Sequence, residues 1–292
     1  MRVTQSMITR SLLQSINTLR QSMDTIQSSI ASGKQVVKAC DDPDKYLQGT
    51  RFRHAISRND QYLKNIDSAK SWINETLTSL DDLRNYIMNG KEIGIQGADI
   101  SNSGTRATLA DNVNQIIEDV VATTNKSYLG RNMFAGTYTQ GVTPFEFDGT
   151  SVTYNGNSTS MTRQIGEALN VEINVSGTQL ESTGMFSALI DLRDALQDGD
   201  TAGIQSALGD LDDAADGVNA LSTALGAITN QLDLSKQHLE AANVNLKGYL
   251  SKVEDVDMAE AMTKYNNREI AYQAALMTTS RAMQLNIMEF IK

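Results

Sequence analysis

From residue 8 onward the apolar positions Leu12, Ile16, Leu19, Met23, Ile26 and Ile30 advance by steps of four and three. Such stepping holds one stripe on one side of a helix and forms the seam of a coiled coil. A break follows at "SGKQVVKACDDPDKY", residues 32–46, and the stepping resumes at Tyr62, Ile66, Ala69, Ile73, Thr76, Leu80, Leu83 and Ile87. A third series runs Leu109, Val113, Ile116 and Val120. The longest carries Val218, Leu221, Leu225, Ile228, Leu232, Ser235, Leu239, Ala242, Leu246, Tyr249 and Val253. At ~1.5 Å per residue this last run predicts a rod of roughly 55 Å.

A final helix is expected after Asp255 or Asp257. It carries Met258, Met262, Tyr265, Tyr272, Leu276, Met283 and Phe290, with Glu269, Thr279 and Asn286 weakening the seam. The first and last helices each have one apolar face and no sequence neighbour to cover it. They are therefore expected to pair with each other or with other subunits, and alone they are marginal helices. Leu12, Ile16, Leu19, Met23, Ile26 and Ile30 from the first helix form one half of a candidate assembly interface. Met262, Tyr265, Tyr272, Leu276, Met283 and Phe290 from the last form the other.

Between residues 137 and 183 the period changes to two: Phe145 with Phe147, Val152 with Tyr154, Val171 with Ile173 and Val175. Asp148-Gly149 and Asn155-Gly156 are hairpin-turn signals. A small β domain inserted into a helical rod is expected, leaving and re-entering it at about residues 136 and 184. The fold class is thus mainly α: an elongated antiparallel helical bundle or coiled coil formed from both chain ends, with a small inserted β domain.

The break at residues 32–46 sets Gly33 beside Lys34, as in a phosphate-binding loop. Such a loop needs a glycine five positions before the pair and Ser or Thr after the lysine, where Ser28 and Gln35 stand instead. Gly33 fits a left-handed helix stop, and Asp42-Pro43 an N-cap followed by proline at the first helical position. The stretch reads as a stop, a short extended link and a restart.

Composition narrows the function. Of 292 residues 40% are apolar but only 5% aromatic, with two prolines, which suits packed helices better than a deep enzyme cleft. The net charge of −10, from 25 basic against 35 acidic residues, disfavours a nucleic-acid partner. Acids crowd into residues 191–216, from Asp191 to Asp216. The single cysteine, Cys40, excludes an internal disulfide. No run approaches the ~20 apolar residues of a membrane span, and the first thirty residues lack a conventional secretory signal, so leaving the cell would require another route.

No catalytic, cofactor or metal site is expected. His54 and His238 lie far apart with no ligand at metal spacing, and each reads as a surface or packing residue. Asp41, Asp42 and Asp44 are interrupted by Pro43 and lack the glycine and distal glutamate of a calcium loop. Asp198-Gly199-Asp200 reads as the end of one helix and the cap of the next. The methionines of the last helix, Met258, Met262, Met277, Met283 and Met288, are packing residues whose flexible side chains also suit a surface that binds two partners in turn.

Three segments together resemble the paired terminal regions of bacterial flagellins and their relatives. They are "MRVTQSM" at the start, "SGKQVVKACDDPDKYLQG" at the break and "VEDVDMAEAMTKYNNREIAYQAALMTTSRAMQLNIMEFI" at the end. In the middle, "GRNMFAGTYTQGVTPFEFDGTSVTYNGN" and "QIGEALNVEINVSG" resemble the hook–filament junction branch of that superfamily more than its filament subunits. The resemblance implies a terminal coil made of residues 1–42 and 256–292, a rod made of 43–136 and 184–255, and the β domain 137–183 outermost. It implies that Ser32, Gly33, Lys34, Asp41, Asp42 and Pro43 form a link between two radial layers. It further implies a non-catalytic structural adaptor between flagellar hook and filament, with a minor flagellin as the alternative and a secreted coiled-coil effector less favoured. The implied partners are a homo-oligomeric layer, a neighbouring hook-associated junction protein, flagellin, and an export chaperone at the C-terminal region. Export through the flagellar type III apparatus to an extracellular position follows from the same resemblance.

Overall fold

A computed structural model describes residues 5–99 and 104–290. The order is α1 (Gln5–Ser32), α2 (Pro43–Ala98), α3 (Arg106–Thr124), β1 (Ser127–Tyr128), β2 (Arg131–Asn132), β3 (Phe145–Phe147) and β4 (Val152–Tyr154). There follow β5 (Thr162–Gln164), β6 (Asn170–Glu172), α4 (Gly177–Glu181), α5 (Met185–Asp198), α6 (Thr201–Glu254) and α7 (Met258–Phe290). The chain forms two compact units. One gathers the two chain ends, up to Arg58 and from Ala241; the other holds Asn59–Glu240.

In the central unit the predicted seams become the core. Ile66, Ala69, Ile73, Leu80, Leu83 and Ile87 of α2 are buried, as are Val113, Ile116 and Val120 of α3 and Val218, Leu225 and Leu232 of α6. Buried Thr76, the polar member of the α2 seam, gives its hydroxyl proton to the Trp72 carbonyl (3.0 Å), so its burial leaves no donor unmet. α5 supplies Leu189, Leu192 and Leu196. The α2 backbone comes close to these leucines because Gly97 has no side chain: a Cβ there would stand 2.2 Å from Leu196 Cδ2.

Buried Arg106 staples this end of the unit. Its guanidinium donates to the carbonyls of Gly97 (2.9 Å) and Gly199 (2.7 Å) and to the Thr201 hydroxyl (3.2 Å). Gly199 is left-handed, φ +71°, and Asp200 Oδ1 accepts from Ala202 N–H (3.0 Å). The Asp198-Gly199-Asp200 stretch thus ends α5 and caps α6, as its residue types predict.

The period-2 segment forms two separate antiparallel hairpins, β3–β4 and β5–β6, and a further short hairpin, β1–β2, precedes it. In β3–β4, Phe145 stands opposite Tyr154 and Phe147 opposite Val152. Asn125, just past α3, pins this hairpin: its amide donates to the Phe145 carbonyl (2.7 Å), and its side-chain oxygen accepts the Phe145 N–H (2.9 Å). The turn is closed at Asp148, whose Oδ1 accepts from Thr150 N–H (2.8 Å) and Ser151 N–H (2.7 Å). Those backbone donors, that of Ser151 foremost, hold the carboxyl below its ordinary pKa. Asn155-Gly156, the other turn signal, lies after β4 and closes no hairpin. Gly156 is there for close approach, since a Cβ would stand 2.3 Å from the Tyr154 hydroxyl.

The inward side chains of these hairpins share the helical core. Phe145, Met161, Ile165, Val171, Ile173, Val175 and Leu180 join the same cluster as the α2, α3, α5 and α6 seams. Phe145 packs on Phe186 of α5 with ring centroids 5.1 Å apart. Buried Arg193 of α5 reaches the hairpin tip, donating to the Gly149 carbonyl (2.7 Å) while pairing with Asp194 (2.7 Å).

Candidate assembly interface and its link

In the unit of the two chain ends, α1 packs along α7. Leu12, Ile16, Leu19, Met23, Ile26 and Ile30 are each half-buried there. From α7, Ala261 and Thr279 are buried and Tyr265 and Tyr272 half-buried. Thr279 donates its hydroxyl proton to the Ala275 carbonyl (2.7 Å). Met262 and Leu276, in contrast, are 47% and 44% exposed, as are the neighbouring Ile270 (65%) and Met277 (66%). The paired helices thus leave an apolar stripe of α7 in contact with water. The side chains of Met283 and Phe290 lie outside the described residues.

The predicted link is a clasp. α1 ends at Ser32, Gly33 turns left-handed with φ +69°, and the Ser32 hydroxyl oxygen accepts Lys34 N–H (3.3 Å). The chain then runs extended against the break between α6 and α7. Gln35 N–H donates to the Glu254 carbonyl (2.6 Å), Val256 N–H donates to the Gly33 carbonyl (3.0 Å), and Lys34 pairs with Asp255 as an isolated antiparallel bridge. Both helix interruptions therefore satisfy each other's backbone groups, which a helix break otherwise leaves unpaired. Val36 of the link is buried, 4% exposed.

Beneath the bridge lies Glu254, buried at 6% exposure. Its Oε2 accepts from the Lys34 ammonium (3.3 Å) and its Oε1 from the Arg53 guanidinium. Arg53 also sits over the Tyr46 ring, 5.8 Å from its centroid. Asp41 closes the far side of the link: its Oδ2 accepts Val37 N–H (3.2 Å) and Lys38 N–H (2.8 Å). The hydrogen bond from Lys38 N–H is the main cause that lowers the Asp41 pKa. Asp42 Oδ1 accepts Lys45 N–H (3.0 Å), capping α2, with Pro43 at its first position. Asp257 does the same for α7, accepting Ala259 N–H (2.9 Å) and Glu260 N–H (3.1 Å).

Within this stretch Gly33 stops α1, and Asp42 and Pro43 restart the helix, as their types suggest. Sequence reasoning missed Glu254, Arg53 and Val36, the groups that hold the link in place. A faint signal was available for Glu254, an acid ending a long apolar seam just before the break.

His54 and His238 are exposed, and Cys40 is an exposed free thiol. Among the described residues, no three His, Cys, Asp or Glu side chains gather as metal ligands, and no helix is long and apolar enough to cross a membrane.

The family model of the bacterial flagellin N-terminal helical region matches residues 3–139, and that of the C-terminal helical region matches residues 208–291. The chain belongs to the flagellin family. It is accordingly a structural protein of the bacterial flagellum. The flagellin of Halalkalibacterium halodurans is 24% identical over 257 residues, which cover 87% of this chain and 86% of the relative. Among solved structures, flagellar hook-associated protein 3 from Legionella pneumophila superposes with a TM-score of 0.64 at 15% identity, covering 70% of this chain and 98% of that one. FlgL from Bacillus cereus superposes with a TM-score of 0.59 at 22% identity, covering 68% and 97%. The clasp and the α1–α7 pair of this flagellin-family chain both lie within segments that the family models match, whereas residues 140–207, with two of the three hairpins, fall between them.

Proposed function

We infer that this flagellin-family chain is the adaptor subunit that joins the flagellar hook to the flagellin filament. The observation that carries the reading is the middle of the chain. Between two flagellin-type ends stand compact hairpins built into the helical core, in a fold that matches hook-associated protein 3 over nearly all of that protein's length. Subunits form a short homo-oligomeric layer, with a neighbouring hook-associated junction protein on one side and flagellin on the other. The protein reaches this extracellular position through the flagellar type III apparatus.

Within the layer the exposed α7 stripe, Met262, Leu276 and Met277, is covered by other subunits. Before export the same stripe is held by a chaperone, since an exposed apolar surface of this kind promotes aggregation. The clasp at Ser32, Gly33, Lys34, Asp41, Asp42 and Pro43 links the terminal coil to the rod.

Deleting the gene tests the adaptor reading by microscopy. Cells are expected to carry hooks without filaments and to shed flagellin into the medium; normal filaments would overturn the reading. A minor flagellin is the second reading, favoured by the 24% identity to a filament protein over most of the chain. Seeded polymerisation separates the two, because a filament subunit grows long fibres and an adaptor stops after a limited layer.

A further inference from the structure

The central unit holds a small pocket lined by two arginines and the tryptophan. It is a cavity of about 70 Å³ walled by Trp72 and Ser68 of α2, Tyr128 and Leu129 at the β1–β2 turn, Arg131 of β2 and Arg163 of β5. Trp72 is 6% exposed and meets Tyr128 edge-on, with centroids 6.0 Å apart and planes at 84°. Its indole Nε1–H is the buried side-chain polar atom that lacks a hydrogen-bond partner among the described residues. Neither Arg131 nor Arg163 forms an ion pair among the described residues, although acids outnumber bases along the chain. On the rim, Leu129 is 82% exposed, and its left-handed φ of 52°, followed by Gly130 at 72°, forms the two-residue turn that joins β1 to β2.

Two guanidinium groups and a hydroxyl call for a hydrogen-bond acceptor with negative charge. The cavity has room for a carboxylate group. This chain carries such groups in excess. Asp210, Asp213 and Asp216 of α6 follow at intervals of three, which sets them on one side of the helix, and all three are exposed. None of the three is ion-paired among the described residues, whereas Asp212 between them is taken by Lys91 (2.5 Å). An acidic face and a basic pocket on the same molecule are complementary surfaces for two copies in register.

We propose that the Trp72–Arg131–Arg163 pocket receives a carboxylate from the Asp210–Asp213–Asp216 face of a second copy of this chain, with Leu129 as the apolar rim of the contact. The proposal rests on the reading of the chain as a self-assembling flagellar subunit and names one of its contacts.

Trp72 is the one tryptophan of the sequence, so the pocket contains its own probe. Full-length chain is titrated with a Trp72→Phe copy, and only the Trp72 emission of the first is read. A saturable change is expected. It weakens at least ~10-fold when the Trp-bearing copy carries Arg131→Glu with Arg163→Glu, or when the titrant carries Asp210→Asn, Asp213→Asn and Asp216→Asn. Combining the arginine-reversed copy with an Asp210→Lys, Asp213→Lys and Asp216→Lys titrant restores it, which a mere loss of folding cannot do. No emission change, a change indifferent to the aspartates, or the same change with sodium acetate alone at matched carboxylate concentration overturns the proposal. Normal filaments in the deletion strain would overturn the adaptor reading while leaving this titration unaffected, so the two failures are distinguishable.

Discussion

The Lys34 ammonium and the Glu254 carboxylate meet at 3.3 Å across 220 residues of chain. Glu254 is buried and Lys34 is not, with side-chain exposures of 8% and 43%. A buried carboxylate is tolerated because two cations, Lys34 and Arg53, converge on its two oxygens. Removing both cations therefore leaves a charge stranded, while neutralising the acid leaves only exposed cations that water can solvate. Lys34→Ala with Arg53→Ala is expected to destabilise the clasp by about 1–3 kcal/mol, less than a fully buried pair because both cations are partly exposed. Glu254→Gln should cost less than the double substitution. Hydrogen exchange at Gln35 and Val256, whose N–H groups bridge the two breaks, measures the difference; a larger effect from Glu254→Gln would contradict this assignment.

The turn at Asp41 should loosen in acid. Its carboxylate accepts two backbone N–H bonds in the folded chain, so its pKa lies below the unfolded value of 3.8. A depressed carboxyl pKa contributes stability that is complete above 3.8 and is lost as pH falls from there through the folded value. Exchange at the Lys38 amide should accelerate over that acid range relative to a reference peptide. In Asp41→Asn, whose amide oxygen still accepts but does not titrate, the added acid sensitivity should vanish.

How much of this was legible depends on range along the chain. The Gly33 stop, the Asp42-Pro43 restart and the Asp198-Gly199-Asp200 junction are local chemistry, and their residue types announce them. The seams through Ile66–Ile87 and Val113–Val120 are legible for the same reason, because helix periodicity alone decides which side is buried. Glu254 is different: its burial depends on Lys34 and Arg53 arriving from elsewhere, and no periodicity encodes that meeting. The pattern also overstated the outermost seams. Leu276 keeps step with Tyr265 and Tyr272, yet it stands near the edge of the α7 stripe and remains 44% exposed while Ala261 and Thr279 face inward.

The alternating segment was legible as strands but not as part of the core. Phe145 is 1% exposed and touches both Tyr154 of its own hairpin and Phe186 of α5. Phe145→Ala should cost about 3–5 kcal/mol, the range for emptying a buried aromatic site. The loss should appear in one cooperative transition shared by helical circular dichroism and near-ultraviolet signals. Replacing residues 138–183 by a Gly-Ser bridge removes Phe145, Ile165, Val171, Ile173, Val175 and Leu180 together and should destabilise the remaining central helices. A bridged chain that melts like the parent would show that the hairpins stabilise only themselves.

Leu276→Asp separates the monomer from the assembly. Leu276 is 44% exposed on α7, so an aspartate there keeps most of its hydration and should shift monomer stability by no more than about 0.5 kcal/mol, the usual range for a surface site. If other subunits cover the stripe formed with Met262 and Met277, the same aspartate becomes a charge buried without a partner. Its cost then rises to several kcal/mol per contact, enough to abolish a layer built from repeated contacts. The expected result is an unchanged thermal melt of the isolated chain together with hooks that carry no filaments in cells producing only the variant. Met262→Asp should behave alike. A variant that melts normally and still supports filaments would mean that this stripe stays in water in the flagellum, and the α7 contact would have to lie elsewhere.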